Sequence, residues 1–222
     1  QTPFAMIQDG DDIMCPEKLQ RLHEAIGEDE RLGLVGSFYR MFLGRFSGVE
    51  HTEAVRLLTT HEDILAAYTR QLLWDFSWHG SLIVRRSLFD EIGLYDENPF
   101  GADSFWLAKA AEYARHTGRI RLRNIPEFLT LRRVHDESQT SVLPPIDPRG
   151  RRVHYWRHCL QRLREVTDRI AREPHVNVAR QLRECTCGDF LQRFRGEIIE
   201  WEKQPLDERV LPHFLQEASQ KL

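Results

Sequence analysis

Three aspartates lie within four positions near the start of the chain, in the segment Asp9-Gly10-Asp11-Asp12. They directly follow a short apolar run, Phe4 to Gln8, that is typical of a buried strand. Carboxylates this close repel one another and lose hydration, so a cation is needed to compensate them. Mg²⁺ and Mn²⁺ favour such oxygen ligands and keep open positions for phosphate oxygens. The segment therefore indicates either a divalent-metal and phosphate site or a solvated acidic Asp-Gly turn.

The residues around the aspartates indicate which kind of ligand site they could form. Gly10 is expected to let the backbone turn tightly, so that Asp9 and Asp11 point into one cavity. The carboxyl end of a strand in an α/β sheet is also where ligands tend to bind. An EF-hand calcium loop does not fit, because its twelfth position, which must be an acidic ligand, is Gln20.

Alternating strands and helices must hold these aspartates in place. A helix led by Pro16 is expected to follow them, with Leu19, Leu22 and Ile26 on its buried face. Four more strands are predicted at residues 32–39, 80–84, 120–122 and 128–132, the last two flanking a proline. Helices are predicted at residues 61–74, in a short stretch ending near residue 93, and at residues 103–115. Residues 41–60 indicate a loop or a weak hairpin.

Prolines at positions 144, 145 and 148 mark a break in this pattern. Beyond them, helices are predicted at about 153–172, 176–195 and 207–220. We therefore expect an α/β core over residues 1–143 and a helical region over residues 144–222. The helices could form a homo-oligomer, contact a membrane surface or pack on the core. Packing is favoured by apolar side chains at helical spacing: Trp156, Leu160, Leu163, Val166 and Ile170.

Composition excludes several functional classes. The 222 residues include 31 basic and 34 acidic side chains, so the net charge of −3 provides no field that would attract nucleic acid. No run of about 18 apolar residues predicts a transmembrane segment, and no secretory signal opens the sequence. The four cysteines lack the spacing of a zinc site and indicate reduced thiols in a cytoplasmic protein.

Further motifs follow the acidic segment in a recognisable order. Residues 80–86 read Gly-Ser-Leu-Ile-Val-Arg-Arg, and residues 92–97 read Ile-Gly-Leu-Tyr-Asp-Glu. Residues 101–107 read Gly-Ala-Asp-Ser-Phe-Trp-Leu, with the acidic group at Asp103. Residues 132–140 read Arg-Arg-Val-His-Asp-Glu-Ser-Gln-Thr. No single motif is enough to identify a protein family, but the order and spacing of these motifs together are specific.

In this order, residues 4–143 resemble the family 2 glycosyltransferases of the GT-A fold. The resemblance implies the C-terminal part of a Rossmann-like mixed sheet flanked by helices and followed by a helical appendage. It also implies inverting transfer of a sugar from a nucleoside diphosphate sugar, typically a UDP-sugar, to a saccharide or other hydroxyl acceptor. Mn²⁺ or Mg²⁺ would be the cofactor.

The resemblance assigns a role to each candidate residue. Asp11 would coordinate the metal, Asp9 would face the ribose or a metal-bound water, and Asp12 would orient the loop. Asp103 would be the general base that takes the proton of the acceptor hydroxyl, although its position also suits a helix cap.

Other candidate residues carry more open assignments. His135 would complete the metal shell or contact phosphate, unless it is a plain surface residue. Arg132 and Arg133 would help to hold the diphosphate, with at least one pointing into solvent if they lie on a strand. Trp78, with His79, would face the sugar or pack in the core. Arg85 and Arg86 would contact phosphates or pair with Asp90 or Glu91 on the surface.

Two departures from the family pattern support a different class of function. The family's N-terminal nucleotide-binding half has no counterpart in the sequence, and the first residue of the usual Glu-Asp pair is Ala102. A non-catalytic binding or scaffold module is therefore the alternative expectation. A nucleotidyltransferase fits less well, because no Gly-rich triphosphate loop is present.

Overall fold

A computed structural model describes residues 2–43, 52–70, 79–95, 102–134, 163–165, 167–173 and 176–185. At its centre is a mixed sheet of six strands. The strands are β1 (Phe4–Met6), β2 (Ile13–Met14), β3 (Leu32–Leu43), β4 (Thr52–Val55), β5 (Ile83–Arg85) and β6 (Arg121–Val134). Their order is β1-β5-β3-β6-β2, and β4 pairs with the second half of β3.

The strand directions point three carboxyl ends toward the same edge of the sheet, although β1 ends level with Val35 of β3 and β3 itself continues to Leu43. Strands β3 and β6 are parallel, whereas β5 runs antiparallel to both β1 and β3. Strands β1, β3 and β6 therefore share one direction. Ligands in open α/β sheets bind at such an edge, so the directions define where to look for a site.

Helices cover both faces of the sheet. They are α1 (Lys18–Gly27), α2 (His61–Thr69), α3 (Arg86–Ile92), α4 (Ala102–Thr117) and α5 (Val178–Glu184). Neighbouring residues of a strand point to opposite faces. Val35 of β3 packs in the cluster that contains Leu22 and Ile26 of α1, whereas Leu34 packs in the cluster that contains α4. The predicted α/β arrangement with a mixed, helix-flanked sheet is confirmed.

The buried face of α1 differs from the prediction. Leu19 is 53% exposed, and the buried residues of this helix include Lys18, Leu22 and Ile26. The face is rotated by one position from the predicted one, so that a lysine occupies the place expected for a leucine. Lys18 lies in the first turn, next to the acidic segment.

Strand β6 is one continuous element, whereas the sequence indicated two short strands. Its register with β3 shifts between the pairs Ser37–Ile125 and Phe38–Phe128, so Pro126 and Glu127 have no partner on β3. Proline has no N–H to donate to a sheet, and a bulge is where a strand tolerates it. The proline therefore bends the strand without ending it.

Two smaller differences and one agreement concern segment ends. Gly80 and Ser81 belong to a 3₁₀ turn, His79–Ser81, and not to a strand. Strand β3 extends to Leu43, and β4 pairs with it inside the segment expected to be a loop or weak hairpin. Helix α3 ends at Ile92, close to the predicted end near residue 93. Gly93 follows it with a φ of 86°, a conformation that suits glycine.

The described part of the C-terminal region packs on the core. Leu163, Ala179 and Leu182 belong to the same hydrophobic cluster as Trp106 and Tyr113 of α4. The predicted packing positions Trp156, Leu160 and Val166 lie outside the described residues, as does the predicted boundary at residue 143.

Two observations concern membrane-spanning helices and disulfide bonds. Within the described ranges, no helix is long and apolar enough to cross a membrane. Among the described residues, Cys15 and Cys185 form no disulfide bond. Cys159 and Cys187 lie outside the described residues.

Candidate functional site

The acidic segment crosses the carboxyl edge of the sheet. Residues 7–12 connect β1, at one end of the strand order, to β2, which pairs with the last residues of β6 at the other end. Ile7 N–H donates to the carbonyl of Leu82 at 3.0 Å, and Asp12 N–H donates to the carbonyl of Asp9 at 3.3 Å. The connection thus carries Asp9 and Asp11 from one side of the strand order to the other.

Gly10 does not have the expected conformational role. It is absent from the described glycines with positive φ, which are Gly93 and Gly118. A Cβ placed on Gly10 would meet nothing within 4 Å. The turn is held by the backbone hydrogen bond and by Asp12, so a side chain at position 10 is compatible with it.

Asp12 fastens the acidic segment to β6. Its Oδ1 accepts a 2.8 Å hydrogen bond from the backbone N–H of Arg133. Burial, together with the charges of Asp9 and Asp11, raises the pKa of Asp12 to about 6 against the lowering effect of that bond. Its Oδ2 is buried and has no hydrogen-bond partner within the part of the chain that the structure describes. This contact fits the predicted role of Asp12 in orienting the loop.

Asp9 lies where charges from four segments meet. Burial raises its pKa, and the negative charges of Asp11 and Asp103 raise it further, whereas His79 and Arg132 lower it. A charged group shifts the pKa of another group in this way only when the two lie close together. The fold therefore brings together four of the predicted site residues: Asp9, Asp11, Asp103 and Arg132.

Asp103 stands in the first turn of α4. Its Oδ1 accepts a 2.7 Å hydrogen bond from the backbone N–H of Ser104. The bond satisfies one of the backbone N–H groups that the first turn of a helix leaves without an intrahelical partner. Both predicted roles, general base and helix cap, are compatible with this contact.

The two arginines at the end of β6 differ. The charge of Arg132 lowers the pKa values of Asp9 and Asp12, whereas Arg133 contacts Asp12 through its backbone N–H. Among the described contacts, Arg85 does not pair with Asp90 or Glu91. Its guanidinium donates to the carbonyls of Leu32, at 2.8 Å, and Ile26, at 3.0 Å. It thereby connects the end of α1 to the start of β3.

His79 and Tyr95 form a polar and aromatic wall beside Asp103. Their rings are perpendicular, with centroids 4.8 Å apart. Burial lowers the pKa of His79 against the charges of Asp103 and Asp9, and burial together with Asp103 raises the pKa of Tyr95. Among the described residues, neither His79 Nε2 nor Tyr95 Oη has a hydrogen-bond partner. Buried groups of this kind call for a ligand or water. Trp78 and His135 lie outside the described residues.

Lys18 is the site-proximal residue that sequence reasoning missed. Its side chain is fully buried, and its Nζ donates to Gln8 Oε1 and to the carbonyl of Gly80, both at 2.7 Å. Burial lowers its pKa to about 8, although the charges of Asp12 and Asp9 favour the protonated form. A sequence signal existed, because Lys18 lies one turn before Leu22 on the apolar stripe of α1.

The carboxylates fit a divalent cation bound together with a diphosphate. No group of three or more His, Cys, Asp or Glu side chains with metal-binding geometry occurs in the described parts of the chain. Mg²⁺ is commonly held by one or two carboxylates plus substrate phosphates. Asp9 and Asp11 supply two carboxylates whose crowding a cation would relieve, and Arg132 supplies a phosphate partner. This donor set suits a metal that arrives with its phosphate ligand.

No protein-family model matches the chain. No match was found among curated proteins. The function must therefore be inferred from the residues of the site.

Proposed function

We propose that this chain transfers a sugar, with inversion, from a nucleoside diphosphate sugar to a hydroxyl acceptor, using a GT-A-type core. One observation carries the proposal. Asp9 and Asp11, after β1, lie close to Asp103 of α4 and Arg132 of β6 at the carboxyl edge of the sheet. This arrangement offers a phosphate and metal side and a separate carboxylate for proton transfer.

Each described residue has a defined part in the reaction. Asp11, with Asp9 beside it, would hold Mn²⁺ or Mg²⁺, which neutralises charge on the leaving diphosphate. Arg132 pairs with phosphate oxygens. Asp103 takes the proton from the acceptor hydroxyl as the new bond to the sugar C1 forms. The bond from C1 to the diphosphate oxygen breaks on the opposite side, and the diphosphate leaves with its electron pair.

The test is calorimetric titration of UDP, with and without Mn²⁺, into the wild type and D11A. We expect binding that requires both the metal and Asp11, because the carboxylates repel a diphosphate unless a cation lies between them. D90A is the matched control, since Asp90 is an exposed aspartate on α3. Absence of binding with every nucleoside diphosphate tried would contradict the proposal and favour a scaffold module. Equal binding by D11A would place the metal elsewhere.

A further inference from the structure

Lys18 occupies a place that is unfavourable for a lysine in two respects. Its side chain has no exposed surface, and burial opposes a charged ammonium. It is also the first residue of α1, where the positive end of the helix dipole disfavours a cation. Residues that violate local preference in this way are expected at functional sites.

The contacts of Lys18 connect the two segments that form the site. On one side, its Nζ donates to Gln8 Oε1, and Gln8 Nε2 donates at 3.2 Å to the carbonyl of Asp9. On the other side, it donates to the carbonyl of Gly80, the neighbour of His79. One ammonium therefore sets the spacing between the backbone at Asp9 and the turn that carries His79.

Lys18 also acts on the acidic segment through its charge. The carboxylates of Asp9 and Asp12 favour its protonated form, yet the described residues place no carboxylate within ion-pair distance of it. The positive charge thus acts on the carboxylates of Asp9 and Asp12 without forming an ion pair with either among the described contacts.

We infer that Lys18 is a positioning residue of the proposed donor site: a built-in cation that fixes the Asp9 loop against the His79 turn and biases it toward a metal–diphosphate pair over a bare metal ion. This inference rests on the proposed function. An internal positive charge weakens binding of a free divalent cation, whereas the preset loop strengthens binding of the cation together with diphosphate.

The experiment measures two affinities in three variants. Mn²⁺ binding alone is followed by electron paramagnetic resonance, and UDP binding at saturating Mn²⁺ by calorimetry. K18M replaces the ammonium with an apolar chain of similar length. We expect K18M to bind free Mn²⁺ about 3- to 10-fold more tightly and UDP about 10-fold more weakly. Opposite changes of this kind would not arise from a residue that merely packs the core.

Q8M and K18R are the matched variants. Q8M breaks the same connection but keeps the charge, so we expect weaker UDP binding and unchanged Mn²⁺ binding. K18R keeps the charge in the same place, so its Mn²⁺ binding should match the wild type. If K18M does not fold, Q8M decides: wild-type UDP affinity in folded Q8M overturns the inference. Unchanged affinities in folded K18M overturn it equally.

The wild type separates this inference from the proposed function. If it binds UDP with Mn²⁺, the proposed function stands and the variants judge Lys18 alone. If it binds Mn²⁺ but not UDP, the proposed function fails, and Lys18 is then judged by whether K18M binds Mn²⁺ more tightly. A wild type that binds neither overturns both.

Discussion

Asp12 Oδ1 accepts a hydrogen bond of 2.8 Å from the backbone N–H of Arg133, which lies 121 residues further along the chain. This contact fastens the acidic segment after β1 to the end of β6. It therefore helps to hold Asp9 and Asp11 near Arg132, whose charge acts on Asp9. How accurately these groups are positioned determines whether the site can hold a diphosphate.

We first predict that the role of Asp12 depends on its oxygen and not on its charge. D12N keeps the acceptor for Arg133, whereas D12A removes it. Because the ionised form is disfavoured in the fold, D12N should be at least as stable as the wild type at pH 8. D12A should lose about 1 kcal/mol of unfolding free energy.

The pH dependence of Asp12 has a defined sign. Its pKa is raised from 3.8 to about 6, so the stability that this group contributes falls as pH rises through that window. The stability gain of D12N over the wild type should therefore be larger at pH 8 than at pH 4. Thermal unfolding in EDTA at both pH values measures it. Equal losses in D12N and D12A would show that the charge matters.

Sequence reasoning located most of the candidate site but not its support. Asp9, Asp11, Asp103 and Arg132 were found because acidic and basic residues at the ends of strands and helices are conspicuous in a sequence. Lys18 was not found, because apolar periodicity assigns a charged residue to the solvent side. Its position one turn before Leu22 was visible in the sequence, but the acceptors that allow its burial, on Gln8 and Gly80, were not.

Glycine and proline were the least reliable guides to local structure. Gly10 suggested a tight turn, yet its conformation is one that any residue adopts, because Asp12 already holds the loop. Pro126 suggested a break, yet its missing N–H is absorbed by a bulge within β6. In both cases a contact far along the chain determined the local outcome.

The buried carboxylate of Glu112 should govern acid stability. It accepts hydrogen bonds from Tyr68 of α2 at 2.7 Å, from Arg115 of α4 at 2.6 Å and from Thr167 at 2.9 Å. Burial alone would raise its pKa, but hydrogen bonds from His116, Tyr68 and Arg115 lower it to about 2. The network joins α2, α4 and the helical residues 163–165 and 167–171 around one charge.

The predicted change follows from that lowered pKa. Stability from Glu112 is present above its ordinary value of 4.5 and is lost as pH falls through 2. The difference corresponds to about 3 kcal/mol. E112Q should lose stability of this order at pH 7 and show a weaker pH dependence below pH 4.5, measured by urea unfolding. E184Q, which removes an exposed ion pair with Arg180, should differ little from the wild type. A wild-type pH profile in E112Q would refute the assignment.

Alanine should lower the stability of the protein at position 93 but change it little at position 10. Gly93 has φ 86° and ψ 172°, a region open essentially to glycine, and a Cβ there would lie 3.3 Å from Arg183 Cγ. G93A should cost about 1–3 kcal/mol, whereas G10A should change stability by less than about 0.5 kcal/mol. Chemical denaturation of both variants tests this pair. A large loss in G10A would restore the conformational role that the sequence suggested.

Asp103 distinguishes catalysis from helix capping. D103N keeps an oxygen that can accept from the Ser104 N–H but cannot take a proton, whereas D103A loses both properties. If Asp103 is the general base, D103N should lower sugar transfer, or slow release of UDP from a bound UDP-sugar, by at least about 100-fold. Its thermal stability and its affinity for UDP with Mn²⁺ should remain those of the wild type. D103A should lower activity similarly and also lose about 1 kcal/mol of stability.

Near-normal turnover in D103N, with destabilisation only in D103A, would mean that the Asp103 carboxylate only stabilises the start of α4. The proton acceptor would then have to be sought at His79, beside Asp103.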